Sequence, residues 1–296
     1  MKKMNMLLLA IAASVAGACN SDLPTSVNES IRQSTSGLPN IPAALVSGTS
    51  LEQVVSAGPY AGFDTYSYPG DSRMKAWNDA GKYNWVGYYL TAPCHKDSRW
   101  LGKRDTLEQM GWCTAIVYVG QQAWGKNPKP SARVGAQDDC RASLMGAPRG
   151  KLDAADAIAK TRGEGFAPGS VIFLDVEHMD RIPQAMRDYY LAWTDAVLAD
   201  GTYRPGFYVH TSNAAAIHAD VAPVFARYKT SEPAFWIAGG NDFSTSSHPR
   251  EVGHEFAAVW QGVLDVVEKH NSVKLPIDVN VASVPSPSSE QFAAAE

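Results

Sequence analysis

Val171-Ile172-Phe173-Leu174-Asp175-Val176-Glu177-His178 is the stretch on which the reading of this chain turns. Four apolar residues in a row suit a strand buried on both faces, as strands of a parallel sheet are. Residues two apart in a strand point to the same side. Asp175 and Glu177 therefore project together from the strand's C-terminal end. Two close carboxylates raise each other's proton affinity, because both cannot ionise cheaply. Such a pair keeps one member protonated near neutral pH for use as a general acid. The bland counterpart is a strand end that simply meets solvent, or an Asp175 that caps the next helix.

Outward from this segment, short apolar runs recur at 62–66, 85–90, 114–119, 206–210, 234–238, 257–261 and 277–281. Amphipathic stretches separate the earlier ones, and helices are expected over 71–82, 101–110, 152–162 and 182–198. In the last of these, Met186, Tyr189, Tyr190, Trp193, Val197 and Leu198 share one face. Pro183 is acceptable in its first turn and Gly201 stops it. Alternating strand and helix with eight strands predicts an α/β fold, a TIM-like (β/α)8 barrel. The connections after Ala238 and Gln261 read as loop, so the second half is expected to be helix-poor. A doubly wound open sheet is the alternative, but no G-x-G-x-x-G or P-loop follows the first strand.

The organisation expected is a signal peptide over 1–18, a polar tether over 19–58, the barrel over 59–283 and a disordered tail over 284–296. Lys2 and Lys3 precede an apolar run from Met6 to Ala13 and the small residues Ala16-Gly17-Ala18, the layout of an export signal. Cys19 follows, and the polar Asn20-Ser21-Asp22 after it fits a lipoprotein. Lipidation of Cys19 and membrane attachment through it are therefore expected, with ordinary cleavage beside Cys19 as the alternative. The destination is the periplasm or outer envelope. An oxidising compartment permits a disulfide. Cys94 and Cys140 follow the C-terminal ends of neighbouring strands, and we expect them to pair, leaving Cys113 as a thiol.

A net charge of −4 and the lack of a basic stripe give no footprint for nucleic acid. The cysteine spacings match no zinc pattern, and neither a metal nor a cofactor is implied. Eight Trp and twelve Tyr are a supply that suits sugar stacking, although aromatic cores are common too.

Active sites of such barrels lie at the C-terminal strand ends. Asp64 closes the first strand and is sent toward the same centre as Asp175 and Glu177. Tyr208, His210, Trp236 and Gln261 end later strands. Flat apolar faces with polar tips around carboxylates are what a sugar cleft requires. Taken singly, each aromatic is more simply a core residue.

In this order along the chain, Gly62-Phe63-Asp64, Phe173-Leu174-Asp175-Val176-Glu177, Gly206-Phe207-Tyr208, Trp236-Ile237-Ala238, Val259-Trp260-Gln261 and Ile277-Asp278-Val279-Asn280 resemble the motifs of glycoside hydrolase family 25 muramidases. Tyr68-Pro69-Gly70-Asp71-Ser72, Gly87-Tyr88-Tyr89-Leu90 and Tyr118-Val119-Gly120-Gln121-Gln122 resemble the exported glycoside-hydrolase-like proteins first defined as domain of unknown function 1906. The resemblance implies a glycan substrate, peptidoglycan or another amino-sugar polymer. It implies Glu177 as general acid, Asp175 as stabiliser of the N-acetyl group or cationic intermediate, and Asp64 in support. Tyr66, Tyr118 and Asp278, on the matching motifs, join Tyr208, His210, Trp236 and Gln261 as expected substrate contacts. The first motif departs from the family by reading Gly-Phe-Asp-Thr-Tyr, and the segments 91–112 and 123–169 are long insertions. A non-catalytic carbohydrate- or envelope-binding barrel is the second reading. An esterase or deacetylase is the third, against which stands the absence of a G-x-S-x-G elbow and of H-E-x-x-H.

Overall fold

The computed structural model describes residues 58–123 and 140–289. Eight strands close into one ring in chain order. They are β1 (Tyr60–Asp64), β2 (Trp85–Tyr89), β3 (Cys113–Val119), β4 (Val171–Val176), β5 (Arg204–His210), β6 (Ala234–Ala238), β7 (Ala257–His270) and β8 (Val273–Ala282). Strands β1 to β7 pair in parallel with their neighbours. The barrel with a helix-poor second half is the fold observed, with one departure: β8 runs antiparallel to both β7 and β1. Its cause is local. Asn271 and Ser272, at φ 43° and 68°, turn the chain straight back, and a tight turn with positive φ joins antiparallel strands only.

Five helices occur among the described residues: α1 (Asp71–Asn78), α2 (Arg104–Met110), α3 (Ala147–Gly163), α4 (Gln184–Asp200) and α5 (Thr211–Tyr228). Helix α3 starts earlier than its pattern suggests, with Pro148 in its first turn. Helix α4 ends at Gly201, in the left-handed region at φ 72°. Helix α5 is an addition to those read from sequence; it carries Pro223 on its exposed side and buries Ala214, Ile217, Val221, Val224 and Phe225. Only a short 3-10 turn, Pro249–Val252, lies between β6 and β7.

Strand alternation sorts the side chains. Phe63 points outward onto Trp77, Tyr83 and Trp112 beneath α1 and α2. Gly62 points inward, where a Cβ would meet the Trp85 indole at 2.1 Å. Trp85, Phe173 and Trp236 fill the barrel interior edge to face. Above this apolar floor lies a polar layer at the C-terminal strand ends.

Where the ring lacks helices, the outer half of the β7–β8 hairpin lies over α1 instead. Trp77 Nε1 donates to Val273 O at 3.0 Å, and Asn271 Nδ2 to Ala76 O at 2.8 Å. Glu268 accepts from Lys82 at 2.7 Å and from Tyr83 at 2.9 Å.

The disulfide Cys94–Cys140 is present, with the Cα atoms 5.0 Å apart. Cys113 is disulfide-bonded as well, which corrects the expectation of a leftover thiol. Residues 284–289, expected to begin a disordered tail, are placed against the barrel bottom. Ser288 O accepts from Val171 N at 2.9 Å and its Oγ accepts from Ile116 N at 2.7 Å. The expected signal peptide, Cys19, the expected tether as far as residue 57, and residues 290–296 lie outside the described residues. No helix among the described residues is long and apolar enough to cross a membrane.

Candidate active site

Asp64 ends β1 and turns inward beside Gly87, where a Cβ would approach the Asp64 Cβ to 2.7 Å. A glycine on β2 thus makes room for the carboxylate. Three donors grip it: Tyr89 Oη to Oδ1 at 2.7 Å, and Gln261 Nε2 and Asn280 Nδ2 to Oδ2 at 2.8 and 2.9 Å. Asp175 pairs in register with Val119 on one side and Tyr208 on the other. Its Oδ1 is buried and accepts no hydrogen bond. Glu177 follows, half-buried, with its backbone N–H donating to Gln122 Oε1 at 3.1 Å.

Burial pushes both aspartic acids above the ordinary carboxylate range. At Asp64 the donors Asn280, Tyr89 and Gln261 oppose that push, while the charge of Glu177 adds to it. At Asp175 nothing opposes it, and Glu177 and then Asp64 push it well up. Asp175 is therefore the carboxyl whose negative charge the protein supports least. Burial, followed by the neighbouring carboxylates, likewise raises the Tyr89 and Tyr208 phenols far up, so both stay neutral donors.

Most of the residues singled out from sequence converge here. Tyr208 donates to Gln261 Oε1 at 2.6 Å, and Gln261 carries that contact on to Asp64. Asp278 accepts from Asp265 N at 2.6 Å and lies 3.4 Å from Gln261 Nε2. Tyr66 stands at the rim, 36% exposed, with its ring against His95. His210 is also at the rim, beside His178. Its Nδ1 accepts from Ser212 N at 3.2 Å, which leaves the proton on Nε2. Burial, then His178, lowers its proton affinity.

Three expected contacts are corrected. Tyr118 points outward, and its hydroxyl donates to Asp156 of α3 at 2.8 Å, because its strand position faces the helix layer. Trp236 is only 1% exposed, part of the floor, with Nε1 donating to Asn280 Oδ1 at 2.9 Å. Gln261, also 1% exposed, serves the carboxylate instead of the cleft surface. Tyr89, Gln122 and Asn280 are the site residues that sequence reasoning missed. Inward alternation from Trp85 to Gly87 to Tyr89 was the available signal for the first.

No cluster of His, Cys, Asp or Glu able to hold a metal occurs among the described residues.

The sequence model of one protein family, described as "Rv2525c-like, glycoside hydrolase-like domain", matches residues 75–282. Among solved structures, the chain is similar to an uncharacterized protein of B. stearothermophilus, with a TM-score of 0.51 and 18% identity over 75% of this chain and 95% of that one. It is similar to the bacterial lysozyme from Streptomyces coelicolor, with a TM-score of 0.49 and 16% identity over 76% and 92%. It is also similar to the Tat-secreted protein Rv2525c of Mycobacterium tuberculosis, crystallised with L-tartrate, at 0.45 and 16% over 75% and 94%. At such identities the likeness concerns the fold alone. No curated protein matches the chain.

Proposed function

Because this chain belongs to the Rv2525c-like, glycoside hydrolase-like family, we propose that it is an exported hydrolase of peptidoglycan or a related N-acetylamino-sugar glycan, with Glu177 as general acid. The observation that carries this reading is the half-buried Glu177 beside Asp175, whose buried Oδ1 has no partner. The disulfide supports export, since such bonds persist where thiols are oxidised.

In this reading Glu177 protonates the glycosidic oxygen as the bond to the anomeric carbon breaks. Asp175 orients the substrate's acetamido group through the oxygen that no protein donor satisfies. The acetamido oxygen attacks the anomeric carbon from the opposite face, and water then opens the ring so formed, with net retention. Asp64, locked by its three donors, supports the pair and offsets the positive charge of the intermediate. The Nε2–H of His210, with Tyr66, Tyr208 and Asp278, supplies polar partners for the sugar hydroxyls.

The test is release of reducing sugar from purified cell-wall sacculi. Glu177→Gln is expected to lower it by about 10²–10⁴-fold while leaving glycan binding and the melting temperature unchanged. Activity that survives both Glu177→Gln and Asp175→Asn sinks the assignment of the site. A wild-type protein that binds sacculi without cleaving them establishes the non-catalytic alternative.

A further inference from the structure

The Cys94–Cys140 bond joins two loops that each reach back to the carboxylates. On one side, Cys94 sits in a tight turn closed by reciprocal backbone hydrogen bonds between Ala92 and His95, at 2.7 and 3.2 Å. His95, fully buried, has its ring nitrogens 2.9 Å from Tyr66 O and 3.2 Å from Leu90 O. That ring packs 5.0 Å from Tyr89, the donor to Asp64. On the other side, Arg141 N, next to Cys140, donates to Gln121 Oε1 at 2.9 Å. The adjoining Gln122, 2% exposed, donates to Asp175 O at 2.8 Å and accepts from Glu177 N. Gln122 therefore fixes the backbone on both sides of Val176, and with it the direction of both acidic side chains.

We propose that the disulfide is a positioning clamp: the oxidised pair holds His95 behind Tyr89 and Gln122 behind Asp175 and Glu177, so that the site is assembled only where thiols are oxidised. A reduced chain keeps the barrel, whose core residues lie below these loops, but lets the two loops part and water reach Asp175. The inference rests on the reading of these carboxylates as a glycan-cleaving site.

The test compares the wild-type protein with Cys94→Ser/Cys140→Ser and, separately, with Gln122→Ala, which keeps the disulfide and loses the same arm of the clamp. Carboxyl titration by ¹³C NMR is followed alongside kcat, KM and melting. In each folded variant the Asp175 carboxyl is expected to titrate about one pH unit lower, as water relieves its burial. With it, kcat falls about tenfold or more while KM changes less than about twofold. Should the double variant fail to fold, the wild-type protein with its disulfide reduced by a phosphine decides, through the same titration and kcat. Wild-type titration and wild-type kcat in the folded variants overturn the clamp. If the wild-type protein releases no sugar, the hydrolase reading fails, whereas the carboxyl titration still decides the clamp.

Discussion

Asp175 is held in the barrel against its own chemistry. Its side chain is buried, one oxygen lacks a partner, and two other carboxylates lie close enough to raise its proton affinity. An acid whose folded pKa is raised supports the fold fully only below its unfolded pKa. That support is lost as pH rises through the folded value. Asp175→Asn removes this titration and is expected to raise stability by about 1 kcal/mol at pH 7, an effect that vanishes near pH 3. Melting curves across that range check it, and equal shifts at both pH values contradict it. The Asp-x-Glu spacing made the pair visible in the sequence. The orphaned oxygen was not visible, because it depends on what β3 and β5 place on either side of β4.

At the scale of elements, the β7–β8 hairpin shows how the ring copes with missing helices. Its outer half covers α1, and Glu268 anchors it through Lys82, Tyr83 and His270. Those partners hold the Glu268 carboxyl below its ordinary range despite partial burial. A lowered acid stabilises the fold above its unfolded pKa, and that support is lost as pH falls through the folded value. Glu268→Ala is expected to cost about 1–2 kcal/mol at neutral pH and less under acid conditions. Amide exchange at Lys269 and Lys274 should quicken first, and unchanged exchange there rejects the anchoring role. The sequence showed strands at 257–261 and 277–281 and a scarcity of helix between them. It did not show that the strands continue to His270 and from Val273, since a solvated outer face with Val267 at 62% exposure carries no buried run.

For the whole molecule, closure is completed by a residue outside the barrel strands. Ser288 bridges β3 and β4 from below, donating to Thr114 O at 3.2 Å and accepting from Val171 N and Ile116 N. Three such bonds at about 1 kcal/mol each, with about 2–4 °C per kcal/mol for a chain of this size, predict that truncation after Ser283 lowers the melting temperature by about 6–12 °C. A truncated protein with the full-length melting temperature removes the role given to Ser288. The sequence by itself determined the barrel, because eight apolar runs separated by amphipathic stretches have few other ways to bury their faces. It also determined the meeting of Asp64, Asp175 and Glu177, because strand alternation and strand ends are local properties of the chain. Only the tertiary structure decided which aromatic faces the cleft and which faces a helix, as with Tyr89 and Tyr118. It also decided that β8 runs antiparallel and that Gln122, Gln261 and Asn280 serve the carboxylates. Those outcomes depend on registers between strands far apart in sequence, and no local pattern encodes a register.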